Sequence, residues 1–444
     1  MVTAALGLFL VLSAAWGAGQ RRAGEIVDFG TVSGSGDRPI TIAVPDFLPA
    51  AGTQTHLKPG LLRDVIYKDL EVTGYFQRPR NQAFVEQQHQ ADLRAGAFSD
   101  ARIAAAEWQR LGAEFVARGE YVVGPSQALG ARAQLFDATG KLVFNLEFNG
   151  HTTGDYARLA HRIADEIVWR IKGLKGIAGS RILFVSDRTG TSEIWIMDAN
   201  GDNQQPLTRL NSLALTPAWG ASQTEIYYTT YKMRNPDVWG QKLTTGETWP
   251  ISRFGGLNTS PNWNDRLQRL VLTLGKDGNS EIYTMTRAGQ DLRRLTRNRA
   301  IDSSPVWSPD GGTIFFTSDR DGSPQIYRMN ADGGDVKRLT WQGSYNDGAA
   351  VSPDGRRVAF SGRVRGVFQI FVMDTNGRNW VQLTDGPGNN QDPTWAPDSR
   401  HLAFVSARTG QKQIFIIDAE TGAGLVQLTT QGRNRQPAWS PPLP

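Results

Sequence analysis

Few residues in this 444-residue chain could carry chemistry, and their spacing narrows the options further. There is no cysteine, so a disulfide framework and a thiolate metal site are both excluded; that fits an oxidising compartment. The five histidines are His56, His89, His151, His161 and His401. Only His401 falls within the repeats described below, so no histidine cluster can hold a metal or act as a base there. His161 lies on an amphipathic stretch and is expected on the surface or at a domain boundary. A serine hydrolase needs Gly-x-Ser-x-Gly on a strand-to-helix elbow. The nearest approaches, Gly190-Thr191-Ser192-Glu193-Ile194 and Gly278-Asn279-Ser280-Glu281-Ile282, both lack the second glycine. Asp319-Arg320-Asp321-Gly322 is calcium-loop-like, but an Asp-Gly turn between strands accounts for it.

Two constellations remain. Arg188, Lys232, Lys276, Arg320 and Arg408 return in phase, as an anion-binding ring would, or as cations that tie down a turn or pair with Asp187 or Asp319. The second is a set of polar stretches: Leu257-Asn258-Thr259-Ser260, Ile301-Asp302-Ser303-Ser304, Ser344-Tyr345-Asn346-Asp347, Asn389-Asn390-Gln391-Asp392 and Asn434-Arg435-Gln436. Polar and mixed in charge, they suit a wet protein or glycan interface, or the capping of turns by Asn, Asp and Ser.

Both sets are placed by a repeat. Pro305-Val306-Trp307-Ser308-Pro309-Asp310-Gly311 is one copy of a phrase whose aromatic recurs at Trp219, Trp263, Trp307, Trp395 and Trp439, with Val351 once, in steps of 44 residues or a multiple. Ile194, Val238, Ile282, Ile326, Ile370 and Ile414 keep the same step, as do Leu207, Ile251, Leu295, Leu339 and Leu383, then Leu428 one residue late. Such self-similarity marks a solenoid or a propeller. One unit reads as four short strands: 306–307, 313–318, 325–329 and 336–340, joined by turns at Pro309-Asp310-Gly311-Gly312, Asp321-Gly322-Ser323-Pro324 and Asp332-Gly333-Gly334. Four antiparallel strands per repeat make one propeller blade. The unit from Arg181 lacks a preceding phrase, and the phrase at Trp439 lacks strands after it. The tail is therefore expected to supply the innermost strand of the first of six blades, over residues 180–444, so that no blade face or sheet edge stays bare. The polar stretches, where the innermost strands start, then ring one mouth of the channel. The candidate partner-binding residues are Asn258, Ser260, Asp302, Ser303, Ser304, Tyr345, Asn346, Asp347, Gln391, Asp392 and Arg435.

Ahead of the ring the pattern changes. Residues 1–19 read as a signal peptide, an apolar run too short to remain in a bilayer followed by small residues. Residues 20–38 form a Gly-rich arm with apolar points at Ile26, Val27, Phe29 and Val32. Residues 39–172 read as a small α/β domain. Strands are expected at 39–44 and 115–123, a hairpin at 131–136 and 142–148, and helices at 59–73, from a cap at Ser99, and at about 155–171. Tyr156, Leu159, Ala160, Ile163 and Ile167 form the apolar stripe of the last helix. Residues 173–179, Gly-rich, are a linker. The net charge is +5, but the cations look scattered and no basic tract points to nucleic acid.

This plan resembles the TolB family of the Tol-Pal envelope system. The features that carry it are an α/β domain with Pro39-Ile40-Thr41-Ile42-Ala43-Val44-Pro45-Asp46-Phe47 and Gly74-Tyr75-Phe76, six Trp-Ser-Pro-Asp-Gly units, and a final Pro437-Ala438-Trp439-Ser440-Pro441. The resemblance implies a mainly β, six-bladed propeller behind a small α/β domain in a non-enzymatic, exported periplasmic protein. It also implies a monomer without cofactor or metal, held at membranes only through partners and serving outer-membrane integrity and constriction during division. A Pal-like peptidoglycan-associated lipoprotein would dock at the mouth, at the residues named above. A TolA-like inner-membrane protein would take the freed arm, about residues 24–36, through Glu25, Ile26, Val27, Asp28 and Phe29. The alternative is a propeller-type polysaccharide lyase or glycan-binding protein, which needs a His, Tyr or carboxylate cluster converging in the channel.

Overall fold

The computed structural model describes residues 38–53, 56–95, 98 and 102–441. The expected signal peptide, the expected arm with Glu25, Ile26, Val27, Asp28 and Phe29, and the expected helix cap at Ser99 lie outside the described residues.

The α/β domain is a six-stranded sheet. Ile40–Ala43 pairs in parallel with Phe76–Gln77 on one side and Phe115–Val123 on the other, and the antiparallel strands Ala128–Asp137 and Leu142–Thr152 continue beyond. Helix α1 (Leu61–Val72) buries Leu62, Ile66 and Leu70, and α4 (Tyr156–Lys172) buries Leu159, Ala160, Ile163 and Ile167, in a core shared with the sheet. Gly173 ends α4 at φ 66°, a left-handed cap that glycine adopts without a Cβ clash. The sequence misses the helix at Gln82–Ala95 (α2), which has little apolar periodicity. It is fastened by polar contacts: Trp108, on the short helix α3 (Ala105–Arg110), donates to Asp92 at 2.7 Å, and Glu86 accepts from the Asp46 backbone at 3.1 Å.

Six four-stranded antiparallel sheets follow and form the propeller. In blade 4 the strands are Asp302–Trp307, Thr313–Ser318, Gln325–Asn330 and Lys337–Arg338. The innermost strand thus starts four residues earlier than the turn-like composition suggests, and the outermost is shorter. Because partners run antiparallel, the outer-to-inner connections and the turns between second and third strands share one end of the ring, the mouth. Core clusters straddle neighbouring blades; Ile182 and Trp195 of blade 1, for example, join Ile414 and Ile416 of blade 6.

Blade 1 combines both ends of the repeat region. Asn434–Trp439 pairs with Arg181–Ser186, which pairs with Glu193–Asp198. Trp439 Nε1 donates to Ser180 Oγ at 2.8 Å, Arg181 N donates to Ser440 Oγ at 3.1 Å, and Arg433 pairs with Asp187 at 2.6 Å.

The α/β domain docks on blades 1 and 6 at the end opposite the mouth. His161 of α4 bridges Asp69 of α1 (2.7 Å) and Asp198 of blade 1 (3.4 Å), and Asn200 donates to the other Asp69 oxygen at 2.7 Å. His401 of blade 6 bonds Asp398 at 2.5 Å and the Thr73 carbonyl at 2.9 Å. His161 is therefore a buried boundary residue and not a surface one. Burial alone would lower its pKa, but the hydrogen bonds to Asp198 and Asp69 outweigh that and raise it to about 10.

Candidate functional site

At the same point of every innermost strand, one residue adopts a left-handed backbone: Thr216 (φ 46°), Ser260 (52°), Ser304 (51°), Gly348 (68°), Asp392 (55°) and Gln436 (49°). Each lies where the pairing with the second strand slips, a β-bulge. Non-glycine residues in this region cost about 1–3 kcal/mol each, and such strain concentrates at functional sites. Except at Ala349, a proline follows, and proline has no N–H to leave unpaired at the slip. These six residues line a channel of about 660 Å³ together with the phased aromatics below them. Where side chains allow, one blade satisfies the next: Gln436 Oε1 accepts from Thr216 N at 2.9 Å and Asp392 Oδ2 from Gln436 N at 3.2 Å. Burial and the nearby Asp347 raise the Asp392 pKa against the Gln436 hydrogen bond.

The candidate mouth residues separate into two groups. Ser260, Ser303, Ser304, Tyr345, Asp347, Gln391, Asp392 and Arg435 are partly exposed around the opening. They lie on strands or at strand starts and not in loops. Tyr345 packs edge-on against Phe368 at 5.3 Å, Asp347 accepts from Thr317 Oγ1 at 2.8 Å, and Arg435 donates to Ser192 Oγ at 2.6 Å.

Asn258, Asp302 and Asn346 are different: they are buried, at 0%, 0% and 2% exposure. Asn258 Oδ1 accepts from Ser252 Oγ and Phe254 N, and its Nδ2 donates to the Phe254 carbonyl. Asn346 donates to Gln325 Oε1, as Asn390 does to Gln369 and Asn434 to Gln413. Asp302 holds Arg320 at 3.0 Å. These side chains pin the loops that carry the mouth and have no surface to offer a partner, so the capping reading holds for them.

Three of the five phased cations meet the same clamp. Arg188, Arg320 and Arg408 each donate Nε to the serine two residues earlier, at 3.0, 2.9 and 2.8 Å. Each also reaches Asn434, Asp302 or Asn390 and lies over an aromatic ring of its own blade. For these three arginines the structure bears out a tie-down role; the partner is the serine and the buried Asn or Asp, and neither Asp187 nor Asp319 is used, whereas Lys232 lies over the Trp239 ring and Lys276 pairs with Asp277. Asp187 serves Arg433, and Asp319 accepts from the Ile301 backbone at 2.7 Å.

Among the described residues no group of three His, Asp or Glu could hold a metal, and no helix is long and apolar enough to cross a membrane. His89 is buried in α2, and its pKa is lowered to about 4 by burial and by Arg118.

The family model for the TolB β-propeller domain matches residues 168–442, and that for the TolB amino-terminal domain matches residues 31–141. The chain belongs to the TolB family. Over 234 residues it is 33% identical to the Tol-Pal system protein TolB of Bordetella pertussis, covering 52% of this chain and 48% of that protein. It is 32% identical over 200 residues to the Tol-Pal system protein TolB of Desulfosudis oleivorans, covering 45% and 44%. The chain spans about half the length of the curated relatives it matches. The crystal structure of TolB from Acinetobacter baumannii superposes with a TM-score of 0.78 at 26% identity, covering 91% of this chain and 98% of that one. The TolB architecture is thus present across both domains.

Sequence reasoning missed part of this TolB mouth. Thr216 and Gly348 complete the left-handed ring with Gln436, which lay in a polar stretch but not among the candidates, and their signal was present: each stands two residues before the small residue that precedes the phased aromatic slot. The second omission is a set of mouth cations that look scattered along the sequence and that the ring gathers.

Proposed function

We propose that this chain is a non-enzymatic periplasmic component of the Tol-Pal system that docks a Pal-like lipoprotein at the propeller mouth and a TolA-like inner-membrane protein through residues 24–36. In this role it serves envelope integrity and constriction at division. The observation that carries the reading is the ring of partly exposed polar side chains at the channel opening, held rigid by buried Asn, Asp and Gln side chains and the arginines bonded to them. A preorganised polar rim around a recess suits a wet protein interface, because little ordering remains to be done on binding.

The mature chain, immobilised, should retain the soluble domain of a Pal-like lipoprotein. Ser303→Trp with Gln391→Trp, which fills the opening without touching the buried clamps, should abolish retention while the thermal transition is unchanged. Removing residues 20–38 should leave lipoprotein binding intact and abolish capture of a TolA-like domain. Lipoprotein binding that survives the two tryptophans removes the mouth as the site.

A further inference from the structure

Composition hides an asymmetry that the fold creates. The turns between second and third strands and the outer-to-inner connections all emerge at the mouth, and they carry an excess of cations. Arg234, Arg297, Arg299, Arg363, Arg365 and Lys412 are all exposed there. None of the six forms an ion pair with a carboxylate among the described residues; Lys412 acts on the Asp392 carboxylate only at longer range. The acids of the same turns are largely committed. Asp277 binds Lys276 and Arg294, Asp321 binds Arg338 and the Tyr327 hydroxyl, and Asp187 binds Arg433. Asp302 is buried against Arg320, and the partly exposed Asp347 and Asp392 face the channel neck. Between the cations stand exposed apolar side chains: Trp341 at 71%, Met233 at 54% and Ile301 at 53%. The other end of the ring is covered near blades 1 and 6 by the α/β domain.

We infer that the mouth face is a cationic collar that recognises an acidic protein surface, one whose Asp and Glu side chains surround a loop projecting into the channel. The inference rests on the reading of the mouth as a docking face and names the chemistry of what docks. Unpaired arginines arranged around a recess give a field that steers an acidic partner into register, and they bind carboxylates through two parallel hydrogen bonds. The apolar side chains supply desolvated contacts within that collar. A flat anionic bilayer would meet the cations but leave a channel of about 660 Å³ unfilled, so a protein with a protrusion is the better match.

The test uses the full mature chain, a reversal variant R297E/R299E/R363E/R365E, and a control variant K58E/R80E/K141E/R158E that changes net charge equally on the α/β domain. Binding of a short oligoglutamate peptide, of vesicles containing phosphatidylglycerol, and of the soluble Pal-like domain is measured at ~0.01 M and ~0.15 M ionic strength. Association of oligoglutamate and of the Pal-like domain should slow by ~10-fold or more in the reversal variant and at the higher salt, with the control close to the parent. Equal loss in the control, or retention of vesicles with no capture of oligoglutamate, overturns the inference. Tight Pal-like binding that ignores both salt and reversal sinks the collar and leaves the docking function standing. Oligoglutamate captured through the collar, with no Pal-like binding, does the opposite.

Discussion

Asp302 and Arg320 show how one pair of side chains can resemble a binding site and serve the fold. Asp302 is fully buried and Arg320 is three-quarters so. Removing the arginine leaves a carboxylate without its countercharge, a large penalty in a dry site that partial exposure of the pair softens. Arg320→Met should lower stability by about 2 kcal/mol in chemical denaturation. Asp302→Asn should cost under about 1 kcal/mol, because Arg408 and Arg188 already bond to Asn390 and Asn434 at the matching positions. Sequence spacing located this column but could not say which way the side chains point, since a capping Asn and a contacting Asn read the same. His161 illustrates the same limit: its neighbours Asp69 and Asp198 are distant in sequence. Its folded pKa is about 10 against a usual 6.5. The raised value means that its contribution to stability is complete below about pH 6.5 and disappears as pH rises through about 10. His161→Gln should destabilise the docked domains by about 1–3 kcal/mol at neutral pH. It should also flatten the fall in melting temperature that the parent shows between those limits.

At the scale of elements, strands were legible where their periodicity is strong, and the strand 115–123 appears with those same bounds. The helix α2 was not legible, because a single buried apolar residue, Val85, and polar contacts hold it in place of an apolar stripe. The innermost strands were read short, since the left-handed Ser304 and its counterparts look like turn residues while sitting inside a strand. Glycines make a sharper contrast between two kinds of turn. Gly322 has φ 93° and open space around it, whereas at Gly333, φ 92°, a Cβ would lie 2.7 Å from the Leu295 carbonyl oxygen of the preceding blade. Gly201, Gly289 and Gly377 press on Leu428, Ile251 and Leu339 in the same way. Gly322→Ala should therefore cost about 1–2 kcal/mol, from backbone strain alone. Gly333→Ala should cost about 1–3 kcal/mol more, because neighbouring blades must part; matching losses in urea titrations would refute the distinction.

For the whole molecule, three columns repeated six times in phase were enough to read a six-bladed propeller, because a repeat that buries its faces only against copies of itself admits few arrangements. The orientation of the α/β domain was not readable, since its contacts, Asp69 with Asn200 and Thr73 with His401, carry no periodic signature. Removing residues 433–444 should abolish the single cooperative melting transition of the ring, as seen by calorimetry. It leaves the edge of Arg181–Ser186 bare and takes away the Trp439 contact to Ser180. The same pairing sets a schedule for the newborn polypeptide. Blade 1 is the first propeller sheet to leave the ribosome, yet it waits for a strand made some two hundred and fifty residues later. Until Trp439 emerges, that sheet stays open at the axis. The torus therefore cannot be closed sheet by sheet during translation, because its first sheet is incomplete until synthesis has passed residue 439.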